Sequence, residues 1–376
     1  MPPNTTAHTA FRNWVKRLRR EQPQLAEQLR QPVVVGLSGG ADSLALLIVA
    51  IRFGMEVHAV IVDHGLQDGS EQVAETARQQ AEDLGAASAR VIAVQCRADD
   101  EAQARAARYE ALGQIAKGKP VLVAHTASDD AEGVLLSLAR GSGLDALAGM
   151  RAATRDHPVV HAGAGWLGRP LLMCDRAATE LVCREANVSW WEDPHNRSSR
   201  YLRSCVRHKL MPQVTDVLGE HAPDALARSA RQFRADSDAL WAIAKKELQA
   251  VASGASKNRN SKKSNLNCAK LAELPAAVRG RIYKLWLTDV AGPLTSAHIG
   301  AIDNLVINWK GQQPTAIPWT ADNSLQWHVE VSPDSPDNAE ETEHWHRIGA
   351  MRQTHRLAVQ RTDGELRYCA ISRRGG

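Results

Sequence analysis

The chain has 376 residues, of which 44% are hydrophobic and 23% are charged. This composition is typical of globular proteins and excludes a broadly disordered chain, and the length predicts two or three domains. A formal net charge of +4 permits a polyanionic partner without establishing one.

The longest strongly apolar run, Leu44–Ile51, is far shorter than the roughly 20 residues that cross a membrane, and we find no apolar signal core near the N-terminus. We therefore expect a cytoplasmic protein with no membrane contact. The six cysteines form no CxxC pair and the fourteen histidines form no HExxH motif. These spacings argue against a disulfide scaffold, a zinc ribbon, an iron–sulfur cluster and a dedicated transition-metal site.

After an N-terminal helix (residues 1–30), strand-like and helix-like segments alternate. Strands are predicted at Val33–Leu37, Val57–Val62, Arg90–Val94 and Val121–His125, and helices at Leu44–Phe53, Glu71–Leu84, Glu101–Ala116 and Asp129–Ala139. The alternation predicts an α/β domain over residues 31–218, with a parallel sheet covered by helices on both faces. Ligands of such sheets bind at the carboxyl ends of the strands.

Beyond these elements we predict a strand pair around Pro158–His161 and Trp166–Leu172, then a helix at Asp175–Asn187. A smaller, mainly helical domain is expected over residues 219–332. Its predicted elements are helices within Pro223–Ser253, Ala276–Asp289 and Ser296–Trp309, and a hairpin of Thr315–Pro318 with Leu325–Val331. The acidic, proline-containing stretch Ser332–His344 is expected to be disordered, so residues 333–376 are assigned to an acidic linker and tail.

Residues 253–267 of the second domain are basic. They include Lys257, Arg259, Lys262 and Lys263 and no acid. Both a solvated linker and a contact with phosphates fit this composition.

The most informative segment follows the first predicted strand. Its residues are Ser38, Gly39, Gly40, Ala41, Asp42 and Ser43. Two glycines allow backbone N–H groups to approach an anion, the serines add hydroxyl donors, and the following helix directs its positive end there. Asp42 stands where its carboxylate could hold magnesium on a triphosphate. The alternative is a tight turn without chemical meaning.

This SGGxDS pattern resembles that of the PP-loop ATP pyrophosphatases, which split ATP between the α and β phosphates. The resemblance implies ATP and Mg²⁺ as cofactors. The second strand ends in Asp63-His64-Gly65-Leu66, which is similar to the tRNA(Ile)-lysidine synthetases within that superfamily. There, Asp63 would lie along the adenosine.

Glu101–Tyr109 resembles that family's helix with spaced arginines. Arg105 and Arg108 share a helix face and can point at one anion, although a solvated helix face is the plain alternative.

The segment from His125 to Glu132 is the most family-specific. Asp129 and Glu132, three apart at a helix start, face together and could hold magnesium or accept a proton from an amine. Alternatively, both acids only stabilise the helix N-terminus. Thr126, Ser128 and Asp130 depart from the commonest family pattern, whereas His125 keeps it.

The last family-like segment is Trp191–Asn196 with the arginine-bearing helix that follows. Arg203 and Arg207 are one helical turn apart and could present a positive stripe to tRNA phosphates or to the reacting nucleotide, or be ordinary surface arginines. Residues 163–168 match GxGxxG, but Arg169-Pro170 follows where a dinucleotide site needs a helix, so we reject that site.

The resemblance implies an enzyme that uses ATP to attach L-lysine to the wobble cytidine of CAU-anticodon tRNA(Ile). It implies that residues 38–43 bind pyrophosphate, that Arg105 neutralises the α-phosphate, and that His125 and Asp63 line the nucleotide. Asp42 and Asp129 would bind magnesium, and Arg203 and Arg207 would bind tRNA. Asp129 and Glu132 would position the lysine ammonium group and help to deprotonate it. The rivals are another PP-loop tRNA-modifying enzyme, such as a thiolase, and a non-catalytic nucleotide- or RNA-binding relative.

Overall fold

A computed structural model describes residues 6–65, 69–94, 101–192, 202–253, 265–320, 326–328, 345–347 and 355–372. The chain divides into two units, Met1–Ala235 and Asp236–Gly376. The division falls inside a long helix, whereas the sequence interpretation placed a boundary near residue 219. Each unit has its own hydrophobic core.

The first unit contains a six-stranded sheet. Its strands are β1 (Val33–Leu37), β2 (Val57–Asp63), β3 (Ser88–Ala93), β4 (Pro120–Leu122), β5 (Ala153–Thr154) and β6 (Trp166–Gly168). They lie in the order β3-β2-β1-β4-β6-β5, all parallel except for β5, which is antiparallel to β6. The predicted α/β class with a parallel sheet is confirmed. The chain passes from β1 to β2 on one side and later to β4 on the other, and in sheets of this topology ligands bind at the carboxyl ends of the two strands where the direction reverses, here β1 and β4.

The helices of the first unit cover this sheet. They are α1 (Ala7–Glu21), α2 (Pro23–Gln28), α3 (Ala41–Arg52), α4 (Ser70–Asp83), α5 (Glu101–Ala116), α6 (Ala127–Ala139), α7 (Leu144–Leu147), α8 (Pro158–His161), α9 (Arg176–Glu185), α10 (Leu202–Cys205), a π-helix (Val206–Leu210), α11 (Met211–Leu218) and α12 (Ala222–Val251), which continues into the second unit.

The sequence of β1 explains its central place. Val33 and Val35 pack into one core with α1 and α3, whereas Val34 packs on the other face with Tyr109 and Leu112 of α5. A strand that is apolar on both faces is stable only when helices cover both. The carboxyl end of β1 is therefore held rigidly in the middle of the sheet.

The predicted strand at Pro158–His161 is wrong, because these residues form α8. Proline is favoured in the first turn of a helix, and the His157 ring accepts the Val159 N–H at 3.3 Å as a cap. The strand that pairs with β6 is instead β5.

The second unit combines helices with a sheet that the sequence interpretation did not predict. Its helices are α13 (Cys268–Ala272), α14 (Ala276–Leu287) and α15 (Ser296–Ile307). Its strands are β7 (Ala252–Ser253), β8 (Asn265–Asn267), β9 (Thr315–Ile317), β10 (Gln326–His328), β11 (Trp345–Arg347), β12 (His355–Thr362) and β13 (Glu365–Ser372). Five of them form a sheet in the order β7-β8-β13-β12-β9.

Two predictions for the second unit are wrong. The segment containing β9 pairs with β12 and not with β10, which pairs with β11. Residues 355–372, assigned to a tail, form the β12–β13 hairpin. Leu357, Val359 and Leu366 of this hairpin are buried in the second core, so the short buried apolar run at residues 357–359 was the missed signal. No helix among the described residues has the length and apolar character needed to cross a membrane.

The packing of α5 on α8 generates a stability prediction. A Cβ at Gly113 would lie 2.5 Å from Ala162 Cβ and even closer to the Val159 carbonyl oxygen. Gly113→Ala should therefore destabilise the first unit by about 1–3 kcal/mol through overpacking. At Gly133 of α6, nothing lies within 4 Å of the position that a Cβ would take, so Gly133→Ala should be neutral or stabilising by about 0.5–1 kcal/mol. Urea and thermal unfolding measure both, and equal stabilities of the two variants would contradict the packing.

Candidate active site

The predicted phosphate loop, residues 38–43, spans the carboxyl end of β1 and the start of α3. Gly39 has a φ of 79°, in the left-handed region that favours glycine. The Ser43 hydroxyl donates to the Gly40 carbonyl at 2.9 Å and accepts the Ser38 N–H at 3.1 Å, which closes the loop on itself. No side chain of the described residues caps α3, so its first N–H groups and its dipole are available to an anion.

Asp42 lies in the first turn of α3 and is held by a neighbouring helix. Thr179, fully buried on α9, donates its hydroxyl to Asp42 Oδ1 at 2.5 Å. Burial raises the pKa of Asp42 above its ordinary value; the Thr179 hydrogen bond opposes this rise, and the negative charge of Asp129 adds to it. The loop at the end of β1 and the acid after β4 therefore share one electrostatic environment.

Within the described residues, four charged side chains join α6 to the segment 202–210; we call them the acid–arginine cluster. They are Asp129, Glu132, Arg203 and Arg207. Arg203 donates to Glu132 Oε2 at 3.0 Å and to Asp129 Oδ1 at 3.1 Å. Arg207 donates to Glu132 Oε1 at 2.5 Å and to Asp129 Oδ1 at 3.1 Å. Each arginine bridges both carboxylates, and the cluster has no net charge.

Local geometry explains this pairing. Asp129 and Glu132 are three apart on α6, and Arg203 and Arg207 are four apart on α10 and the π-helix, so each pair shares a face. The Glu132 side chain is only 2% exposed, and a carboxylate removed from water requires such partners. The sequence interpretation directed both arginines to tRNA phosphates. In this structure both guanidinium groups contact the carboxylates, and the tRNA contact stays a prediction.

Asp129 also caps its own helix. Its Oδ2 accepts the Thr126 N–H at 2.8 Å and the Thr126 hydroxyl at 3.2 Å. Asp129 therefore stabilises the N-terminus of α6 and also belongs to the acid–arginine cluster. Burial alone raises the pKa of Asp129, but the charge that His125 carries when protonated, the Arg203 charge and the Thr126 N–H lower it overall. Asp129 is therefore ionised at neutral pH, and Thr126, a departure from the family pattern, has a defined role.

A second departure from the pattern, Asp130, anchors the turn at residues 148–150. The buried Asp130 accepts the Met150 N–H at 2.8 Å. Gly149 has a φ of 59°, and a Cβ there would lie 2.9 Å from Asp130 Oδ1. Arg234 of α12 donates to the Gly149 carbonyl at 2.6 Å, which fixes the same turn from its other side.

His125 follows β4 and contacts a buried arginine that the sequence interpretation missed. Arg169, only 5% exposed, follows β6, and its Nε–H donates to His125 Nδ1 at 3.3 Å. Burial lowers the pKa of His125 to about 3; Asp129 opposes this, while the charges of Arg169 and Arg105 lower it further. His125 is therefore neutral at physiological pH. The available signal for Arg169 was its place directly after an apolar strand, at the edge where ligands bind.

The two arginines of α5 contact different neighbours. The Arg105 guanidinium lies 5.1 Å from the centroid of the Tyr109 ring. Arg108 Nε donates to His64 Nε2 at 3.3 Å, at the end of β2. A shared anion for the two arginines stays a prediction, and Arg105 is the one whose charge acts on His125.

Asp63 closes the turn after β2, where its Oδ1 accepts the Gly65 N–H at 3.0 Å. The rest of that motif, Leu66, lies outside the described residues. So do the predicted turn at 193–196 and the basic residues within 254–264, and their roles stay predictions.

Asp42 and Asp129 are the predicted magnesium ligands. Among the described residues, no group of three or more His, Cys, Asp or Glu side chains could hold a metal ion. Magnesium commonly takes one or two protein carboxylates and completes its shell with phosphate oxygens and water. Asp129 raises the pKa of Asp42, and a cation that arrives with a nucleotide would relieve that repulsion, so the two acids fit such a cation.

Comparisons with known proteins agree with this geometry. A PP-loop domain model matches residues 12–214, and a TilS substrate binding domain model matches residues 266–322. The chain is 46% identical over 286 residues to the tRNA(Ile)-lysidine synthase of Mycobacterium bovis, covering 75% of this chain and 83% of the relative. The Nocardia farcinica enzyme of that name is 44% identical over 288 residues, covering 76% and 85%. The one from Rhodococcus erythropolis is 40% identical over 319 residues, covering 84% and 90%.

The raised pKa of Asp42 generates a pH prediction. Above its folded-state pKa, ionised Asp42 lowers the free energy of unfolding, because the unfolded chain ionises it more easily. Asp42→Asn should therefore raise the Tm of the ligand-free protein by about 2–4 °C at pH 7.5. The gain should vanish as the pH falls below about 4, where the carboxyl is protonated in both states. Asp156→Asn, at a side chain 99% exposed, is the matched control; a Tm gain in that variant, or none in Asp42→Asn, would contradict the electrostatic argument.

Proposed function

Because this chain belongs to the tRNA(Ile)-lysidine synthase family, we propose that it joins L-lysine to the wobble cytidine of CAU-anticodon tRNA(Ile), using ATP. The cytidine O2 attacks the α-phosphate, an O–P bond forms, and pyrophosphate leaves. The lysine ε-amine then attacks C2, a C–N bond forms, and AMP leaves with the oxygen as the amine loses a proton. One observation carries the proposal: the anion loop and the acid-bearing helix α6 follow two adjacent parallel strands, β1 and β4, at the same edge of the sheet.

Pyrophosphate binding is assigned to the loop. The N–H groups of Gly39, Gly40 and Ala41 and the Ser38 hydroxyl supply donors that a departing anion needs. The Ser43 hydroxyl would add one by turning from the Gly40 carbonyl to the anion. Asp42 and Asp129 would hold Mg²⁺, which when bound neutralises charge on the phosphates. Arg105 supplies a further positive charge for the α-phosphate, and Asp63 and His125 are proposed to line the nucleotide.

The acid–arginine cluster is proposed to bind the lysine. Its ammonium group must approach a carboxylate and then lose a proton, because only the free amine attacks. Asp129 and Glu132 are already neutralised by Arg203 and Arg207. We infer that tRNA phosphates draw at least one arginine away, so that the acids accept lysine only when tRNA is bound. The two arginines would then pair with the carboxylates in the free protein and with tRNA phosphates in the complex.

The second unit is proposed to contact the tRNA, in agreement with the substrate-binding domain model that matches residues 266–322. The basic residues from 257 to 263 are proposed to add phosphate contacts. A cytoplasmic location is likewise proposed, since the proposed tRNA substrate would be present there.

The thiolase alternative is not favoured. The relatives named above are lysidine synthases. Burial raises the pKa of Cys174 to about 12 and that of Cys183 to about 11, so both thiols stay protonated and are poor sulfur carriers.

Labelled-lysine transfer tests the proposed function. Purified protein, ATP, Mg²⁺, lysine and CAU-anticodon tRNA(Ile) should yield AMP, pyrophosphate and lysine bound to the cytidine. A matched tRNA that differs only at the wobble base should incorporate none. Incorporation of another amino acid, or of no label, would refute the proposal.

Asp42→Ala separates catalysis from binding. It should lower pyrophosphate release by at least about 100-fold, since it removes a ligand for the phosphate charge. Binding of tRNA should change less than about twofold in a filter assay, because Asp42 is hydrogen-bonded to Thr179 of α9 and is assigned no tRNA contact. Equal loss of both would contradict the assigned role and indicate a folding defect.

A further inference from the structure

A neutral imidazole carries one ring proton, and the neighbours of the ring decide which nitrogen holds it. A guanidinium group only donates hydrogen bonds. Because Arg169 Nε–H donates to His125 Nδ1 at 3.3 Å, Nδ1 must be the unprotonated nitrogen. The proton of His125 is therefore on Nε2.

We infer that Arg169 is a positioning residue that holds His125 as the Nε2–H tautomer, so that this ring serves as a hydrogen-bond donor to a phosphate oxygen and not as a base. The inference rests on the proposed function, which brings ATP to this edge of the sheet. It assigns a role to Arg169, which lies between the rejected GxGxxG segment and α9 and has no place in the proposed reaction so far.

The framework around Arg169 is rigid enough for such a role. The side chain is 5% exposed, its Nη1 donates to the Arg151 carbonyl at 2.8 Å, and its backbone N–H donates to the Ala152 carbonyl at 2.9 Å. The parallel strands β4 and β6 are in register through Leu122 and Gly168. His125 and Arg169 thus project from the carboxyl ends of adjacent strands, and the sheet fixes their separation.

The charges around the ring keep it neutral. The Arg169, Arg105 and Arg203 guanidinium groups disfavour a second ring proton, and burial disfavours it more, while Asp129 acts in the opposite direction. The Arg169 partners found in the described residues, a ring nitrogen and a carbonyl oxygen, are both neutral. The charge of Arg169 attracts the Asp130 carboxylate, and it would likewise favour a phosphate anion near the ring.

The tautomer is measurable without any substrate. In the full-length, ligand-free protein at pH 7.5, two-bond ¹H–¹⁵N correlation of labelled histidine distinguishes Nδ1 from Nε2 protonation, and loss of one ring pattern in His125→Gln assigns the signals. We expect His125 to be protonated at Nε2. A ring protonated at Nδ1 in the wild-type protein would overturn the inference whether or not lysine transfer occurs.

Two variants test the role of Arg169. Arg169→Met should give a mixture of both tautomers and reduce kcat for lysine transfer by roughly 100-fold, with KM for tRNA changed less than about twofold. Arg169→Lys keeps a charged donor and should recover the Nε2–H signal and at least about tenfold of the lost kcat. Arg155→Met, at an exposed arginine of the same region, is the matched control and should behave as wild type.

Other results of these experiments would contradict the proposed role of Arg169. An unchanged Nε2–H pattern in Arg169→Met would show that the arginine does not select the tautomer. Loss of kcat in Arg169→Lys, with a wild-type spectrum, would show that Arg169 acts otherwise than through His125. If Arg169→Met fails to fold, the wild-type spectrum and the Arg169→Lys variant decide whether Arg169 selects the tautomer of His125. Absence of lysine transfer by a wild-type protein that holds the Nε2–H tautomer would refute the proposed function alone.

Discussion

The acid–arginine cluster is the interaction on which the rest of the site depends. Glu132 is almost fully removed from solvent, and a buried carboxylate is tolerated only beside opposite charges. Arg203 and Arg207 supply them, and in doing so they hold the segment 202–210 against α6. Removing one partner from a buried pair of this kind commonly costs about 3–5 kcal/mol. The same contacts that fold this part of the chain therefore keep the two acids neutralised until a substrate competes for them.

This constraint connects the two halves of the proposed reaction. Asp129 belongs to the cluster and also raises the pKa of Asp42 in the phosphate loop. A ligand that changes the charge around Asp129 therefore also changes the electrostatic potential at the phosphate loop. A ligand bound at the loop likewise changes the potential at Asp129. A site arranged in this way favours combined occupancy by nucleotide, tRNA and lysine over binding of lysine alone.

Much of the fold and the order of the motifs follow from the sequence, and the reasons are local. The apolar run of β1, the two glycines after it and the apolar α3 specify strand, loop and helix within twenty residues. The pairings across long separations do not follow in this way. Thr179 lies 137 residues from Asp42, and Arg207 lies 75 from Glu132, so no periodic pattern joins them. The β12–β13 hairpin was missed for a different reason: its pairing is local, but the acidic stretch before it dominated the composition of the tail.

The dependence of lysine binding on tRNA tests this account most directly. Equilibrium dialysis with labelled lysine, without ATP so that no transfer occurs, gives the Kd with and without CAU-anticodon tRNA(Ile). We expect tRNA to strengthen lysine binding by at least about tenfold. We expect Arg207→Gln to bind lysine comparably with or without tRNA, since only Arg203 then neutralises the two carboxylates and one negative charge is left for the lysine ammonium. An identical lysine Kd for the wild-type protein with and without tRNA would contradict the proposal that the two arginines keep lysine from the carboxylates until tRNA binds.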